Sequence, residues 1–247
     1  MQLYFIRHGQ SENNALWEST HSSEGRIPDP DLTDLGRKQA GAAAKFLSRS
    51  NLDTRDNQWD SGDRAGFGIT HVYTSLMLRA VATANTIAIA LNLPLLGWED
   101  IHEWGGIYGW DKELNIPISL PGRARTFFEA RYPNMVLPGT FNDEGWWNRP
   151  YETDENIPIR ARRVLRDLLE KHGEGNDRVV MVSHGGFYNY FLAAVLDLSV
   201  EAVFRNKDRQ IWFVLNNTAI TRIDFTPGST ALVYLNRTDF LPDDLIM

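Results

Sequence analysis

No cysteine occurs among the 247 residues. That excludes disulfide frameworks, thiolate nucleophiles and cysteine-based zinc sites, and it fits a reducing compartment. Long hydrophobic runs are also missing. Only a short apolar run precedes Arg7 in MQLYFIRHGQSENN, too little for the core of a signal peptide, and no later run is long enough to span a bilayer. Positive charge is scarce. Lys and Arg number 25 against 32 Asp and Glu, for a net charge of -7, and there is no basic stripe of the kind nucleic-acid binding requires. Any anionic substrate must be gripped by a few focused arginines, because the overall field opposes it. The expectation is a cytoplasmic protein with no nucleic-acid partner and no membrane partner; homo-oligomerisation stays open.

What is present suits a folded chain. Hydrophobic residues make up 43% and charged residues 23%, enough to bury a sizeable core in a single domain spanning 1–247. Residues 2–6 read as a β-strand ending at Arg7-His8-Gly9. Thr33 is placed to cap a helix over 35–47, and the Ala-rich stretch 76–91 is a second helix that Asn92 and Pro94 stop. Between these helices, 51–68 is polar and glycine-containing, and reads as a surface excursion before a strand at 69–74. Residues 104–150 hold four of the eight tryptophans, together with Phe127, Phe128, Tyr132 and Phe141, and are broken by Pro117, Pro121, Pro133 and Pro138. They read as an inserted lid with a helix over 123–131. A helix over 157–171 stopped by Gly173, a strand over 178–183, a helix over 187–196 and strands over 211–215, 219–225 and 231–235 complete the pattern.

Apolar strands alternating with helices predict an α/β fold. It is a three-layer α/β/α sandwich whose mostly parallel central sheet carries helices on both faces. Ligands bind beyond the carboxyl ends of strands in such sheets. Three residue sets fall at those ends: Arg7-His8-Gly9, Ser75 to Arg79, and His184-Gly185-Gly186.

Neutral imidazole is a competent nucleophile toward phosphorus, and Arg7 beside it offers a guanidinium fork for the oxygens. Gly9 is expected to let backbone N–H groups approach an anion. Read alone, Arg-His-Gly is equally a plain strand exit. Arg79, in the first turn of its helix, would turn back toward the sheet edge. Arg160, Arg162, Arg163 and Arg166 lack such a placement and read as surface residues. His184 would share the crevice with His8. Glu103, flanked by Trp104, is the candidate that holds a proton for a leaving oxygen, with Glu99 and Asp100 as rivals. No HExxH-type spacing occurs, and two converging arginines repel a dication, so neither a metal nor another cofactor is expected. His21, His71 and His172 show no partner pattern.

With these residues in place, the chain resembles the histidine phosphatase superfamily, which includes cofactor-dependent phosphoglycerate mutase and fructose-2,6-bisphosphatase. The resemblance rests on RHGQSENN at 7–14, LTDLGRKQA at 32–40, TSLMLRAVATA at 74–84, Glu103, and VSHGG at 182–186. It implies that His8 is phosphorylated and that Arg7, Arg79 and His184 form the phosphate pocket. It also implies that Glu103 is the proton donor, that Ser11 and Asn14 lie at the substrate's edge, and that Asn217 faces the pocket. In the mutases an Arg and a Tyr follow the catalytic glutamate; here Trp104, Gly105 and Gly106 follow, and Arg123 and Arg125 are not adjacent. The expected activity is therefore hydrolysis of a small phosphomonoester, with a mutase-type phosphotransferase and a non-catalytic phospholigand binder as the alternatives. Trp104, Tyr108, Trp110, Trp146 and Trp147 are candidates for a wall that favours bulky or partly apolar esters.

Overall fold

The computed structural model describes residues 1–50, 60–140, 143–199 and 211–247. Alternation along β1 (Gln2–Arg7) sets up the layers. Leu3 and Phe5 enter one core cluster while Tyr4 and Ile6 enter the other, as a period of two requires for a strand buried on both faces. The helix α1 (Glu12–Thr20) follows, then α2 (Asp34–Leu47), β2 (His71–Thr74), α3 (Leu78–Leu91) and β3 (Leu95–Gly97). The lid region contributes a separate hairpin, β4 (Tyr108–Asp111) with β5 (Ile116–Ser119), then α4 (Arg125–Arg131) and β6 (Met135–Val136). The chain closes with α5 (Asn156–His172), β7 (Arg178–Ser183), α6 (Gly185–Val195), β8 (Ile220–Thr226) and β9 (Ser229–Arg237).

The main sheet has the order β6-β3-β2-β7-β1-β8-β9. The pairs from β6 to β1 are parallel, and β8 and β9 are antiparallel. Helices α2 and α3 pack with the Tyr4 and Ile6 face, while α5 and α6 pack with the Leu3 and Phe5 face. Fully buried side chains such as Leu3, Phe5, Phe187 and Phe191 each contribute about 1.5–3 kcal/mol by leaving water. This is the sandwich that the sequence pattern predicts. Among the described residues, no helix is long and apolar enough to cross a membrane.

Local signals worked where a side chain meets its own helix. Thr33 accepts the Gly36 N–H as the cap of α2, and Asn92 ends α3 in the left-handed conformation. Elsewhere the tertiary structure decides. Residues 211–215 do not form a strand. Their backbone is held by side chains instead, with Asn189 bonded to both N–H and C=O of Phe213, and Arg7 bonded to the Leu215 carbonyl. Of the expected excursion, 51–59 lies outside the described residues, as does Phe141 of the lid. The remainder, 60–68, is only partly at the surface. Phe67 is fully buried, and Asp63 pairs with the buried Arg222 at 2.9 Å while accepting the Tyr4 and Tyr234 hydroxyls. Nor does the lid stand apart, since β6 extends the main sheet beside β3. The C-terminal segment packs down: Leu241 and Leu245 are buried, and Gln39 donates to the Leu245 carbonyl.

Candidate active site

Strands β2, β7 and β1 are adjacent and parallel, so their carboxyl ends bring Arg79, His184 and His8 to one edge. The imidazoles of His8 and His184 lie 5.1 Å apart between ring centroids, both buried. His8 Nδ1 meets the Gly9 carbonyl at 2.7 Å, so this nitrogen carries the proton and Nε2 keeps its lone pair. Arg79 Nε donates to that lone pair at 3.1 Å. Burial, then the Arg79 and Arg7 guanidinium groups, push His8 well below the usual imidazole range. His184 is pushed the same way by burial and by Arg79, and its Nε2 pairs with the Ser75 hydroxyl at 2.9 Å. His8 is therefore held neutral, with Nε2 unprotonated.

Arg7 anchors one guanidinium nitrogen on the Leu215 carbonyl. Its Nε, like Nδ1 of His184, is buried with no hydrogen-bond partner among the described residues. Glu103 approaches from the segment after β3 and is near enough to both arginines to offset their mutual repulsion. Its seat is not a tryptophan wall. The carboxylate accepts the backbone N–H groups of Gly186 and Phe187, at 3.1 and 2.8 Å in the first turn of α6, and that of Trp104 at 3.0 Å. Gly186 is needed there, because a Cβ would sit 2.5 Å from Oε1 of Glu103. Gly186→Ala is accordingly expected to displace Glu103 and lower kcat by up to about a hundredfold, the lower range of a general acid's contribution. Steady-state rates with a phosphate monoester check this.

Gly9 has a different use from the one expected. Its N–H donates to the Thr83 hydroxyl, not toward the crevice, and its missing side chain admits the Gly36 carbonyl, which a Cβ would meet at 2.5 Å. Gly36 in turn lies so close that its own Cβ would overlap the Gln10 carbonyl at 2.1 Å. The LTDLG segment is thus the floor on which the His8 loop rests. Ser11 caps α1 and bonds Asn14, whose side chain accepts the Ser11 N–H and hydroxyl. Asn217 donates to the His8 carbonyl at 2.8 Å. These bonds hold the segment that follows His8.

Two contributors lie outside the predicted set. Asp29 accepts the Leu78 N–H at the start of α3, across 49 residues, and burial raises its carboxyl to about 6 despite the pull of Arg79. Arg160 is not a surface arginine. It is buried, grips Glu152 through two nitrogens at 2.6 and 2.7 Å, and donates to the carbonyls of Asp100 and His102. It thereby fixes the segment that delivers Glu103. The His102 ring bonds the Glu103 carbonyl, and the rival carboxylates Glu99 and Asp100 are taken by Arg149 and Arg163.

A cleft of about 730 Å³ opens above Arg79 and Glu103, walled by Trp104, Tyr108 and Trp110, with Arg26 and Lys112 also in its lining. Trp146 and Trp147 are not in the wall. They are fully buried, and Trp147 fills the space that the left-handed Gly106 leaves free. Arg123 and Arg125 are likewise engaged elsewhere, on the Phe127 ring and on the Pro138 carbonyl.

Residues 3–59 and 62–238 match the family model described as histidine phosphatase superfamily (branch 1). Glucosyl-3-phosphoglycerate phosphatase of Mycolicibacterium vanbaalenii is 26% identical over 242 residues, covering 93% of this chain and 89% of that protein. A protein of Yersinia enterocolitica named "Probable phosphoglycerate mutase GpmB" is 25% identical, covering 91% of this chain and 85% of its own length. The crystal structure of a phosphoserine phosphatase variant from Entamoeba histolytica, in complex with phosphoserine, superposes with a TM-score of 0.58 at 21% identity. It covers 98% of this chain and 99% of that one.

Proposed function

The chain belongs to the histidine phosphatase superfamily, and from that premise we propose that it hydrolyses phosphate monoesters through a phosphohistidine on His8. One observation carries this reading. Three groups attend His8: Arg79 donates to its Nε2, the His184 ring lies 5.1 Å away with Nδ1 unpartnered among the described residues, and Arg7, whose charge acts on His8, has an unpartnered Nε. A buried polar atom without a partner costs roughly 1–3 kcal/mol. A phosphoryl group attacked by Nε2 would place its equatorial oxygens among these groups and satisfy them.

In the first step Nε2 of His8 forms a bond to phosphorus while the bond to the ester oxygen breaks. Glu103 gives that oxygen a proton, and the alcohol leaves. In the second step water attacks phosphorus, Glu103 recovers a proton from it, and the nitrogen–phosphorus bond breaks. Inorganic phosphate departs and His8 is neutral again. Before the first step Arg79 must exchange its bond to Nε2 for bonds to the phosphate oxygens.

The aromatic wall supports a preference in the alcohol part. Trp104, Tyr108 and Trp110 offer flat apolar surface beside Glu103, where the leaving group would lie. Aryl or long-chain monoesters should therefore give a higher kcat/KM than 3-phosphoglycerate. Trp110→Ala should raise KM for the aryl ester with kcat little changed, the mark of lost uniform binding. A substrate panel decides this; strong preference for 3-phosphoglycerate would contradict it.

A further inference from the structure

At the opposite end of the sheet, three metal-ligating side chains converge that play no part in the chemistry above. His71 opens β2, His172 is the last residue of α5, and Asp177 directly precedes β7. Nothing in the local sequence around His71 or His172 announces a pair; the parallel pairing of β2 with β7 creates it. Their candidate ligand atoms all lie within 4.8 Å of one another. Among the described residues they are the only such group of three or more His, Asp or Glu side chains.

We propose that His71, His172 and Asp177 form a binding site for a borderline divalent transition ion of the zinc type. A hydrogen-bonded chain accounts for part of the arrangement. His172 Nδ1 meets Asp177 Oδ2 at 2.8 Å, and its Nε2 meets the Tyr73 hydroxyl at 3.0 Å. That chain leaves His71 unexplained. Its ring packs 4.6 Å from that of His172 and stacks on Tyr73, and its Nδ1 lies 3.9 Å from Oδ1 of the same carboxylate and 2.8 Å from the Thr70 hydroxyl. A cation among the three gives both imidazoles and the carboxylate one role.

The surroundings suit that role. Without an ion, His172 Nδ1 donates to Asp177 and Nε2 accepts the Tyr73 hydroxyl; on binding, Nδ1 would give up its proton for the metal and Nε2 would donate to Tyr73, the usual outer-shell support of a metal-bound histidine. His71 and Asp177 are each about a third exposed while His172 is buried, so an ion enters from solvent and water completes its coordination. Tetrahedral zinc holds its ligand atoms roughly 3.3 Å apart, a spacing that small rotations of His71 and Asp177 can reach. Two imidazoles with one carboxylate select zinc, cobalt or nickel over magnesium or calcium, which prefer all-oxygen shells. Binding would tie the end of α5 to β2 and stabilise the fold by mass action.

The test uses the full chain, stripped with chelator and titrated with Zn²⁺ by calorimetry and with Co²⁺ by visible absorption. The expected result is one saturable equivalent and a raised Tm for the native sequence. His71→Ala should bind more than about tenfold more weakly, a loss seen when even outer-shell partners are removed. Its metal-free Tm and monoester turnover should be unchanged. Asp177→Asn, of nearly the same size, provides the same comparison should His71→Ala fold poorly. Absence of saturable binding by the native chain overturns the proposal. So does binding that survives both substitutions, which would place the ion at another site.

Discussion

Replacing His8 by alanine is expected to lower the turnover of p-nitrophenyl phosphate by about four orders of magnitude or more, the scale seen when a covalent nucleophile is removed. Arg7, Arg79, His184 and Glu103 would still bind and polarise the ester, so KM should move much less than kcat. Stability should not suffer. The His8 ring is buried beside two guanidinium groups that disfavour its charge, and sites shaped for chemistry are held at some expense to the fold. Tm should therefore stay the same or rise, which separates loss of the nucleophile from loss of structure. A pre-steady-state burst, if the native enzyme shows one, should vanish in the variant.

The second large effect is on stability. Arg160→Ala should cost about 3–5 kcal/mol, because it strands the Glu152 carboxylate, itself almost buried, without its guanidinium. It also removes the donors to the Asp100 and His102 carbonyls that hold the Glu103 segment. Denaturant unfolding measures the first loss. Under conditions where the variant remains folded, kcat should fall as well, since Glu103 loses its fixed approach. Arg160→Met, which keeps the contact with Phe187, should recover part of the stability and none of the carbonyl anchoring. A drop confined to stability, with kcat intact, would show that Arg160 only packs the helix.

The layers and the site edge were legible because they depend on short-range pattern. Strands at 2–6 and 178–183 are continuous apolar runs, and both end in Arg-His-Gly or His-Gly-Gly. Parallel pairing in the register Arg7 with Ser183 then brings the two histidines together without further instruction. What could not be read depends on contacts across long separations. Asp29 meets Leu78 across 49 residues, and His71 meets His172 only through strand order. Phe67 and Asp63 sit in a stretch whose polarity suggests solvent, yet Arg222 and two tyrosines draw it inward.

Arg160 is the instructive miss. Ile157, Ala161, Val164 and Leu168 recur at helical spacing and are buried, and Arg160 lies on the same stripe. An arginine on the apolar stripe of an amphipathic helix needs a carboxylate, and that requirement was available in the sequence. The glycines of the site teach a related lesson. Gly9 and Gly36 are explained by each other's backbone, and Gly186 by Glu103. Each needs the partner segment in place before its purpose is visible.

The central claim is that the phosphoryl group passes through His8. The most direct measurement is to mix the enzyme with a monoester carrying labelled phosphorus, quench in alkali within the first turnover, and map the label by peptide mass spectrometry. The account predicts an alkali-stable, acid-labile phosphoryl group on Nε2 of His8, absent from His8→Ala. Label on His184, or turnover in His8→Ala at the native rate, would contradict it.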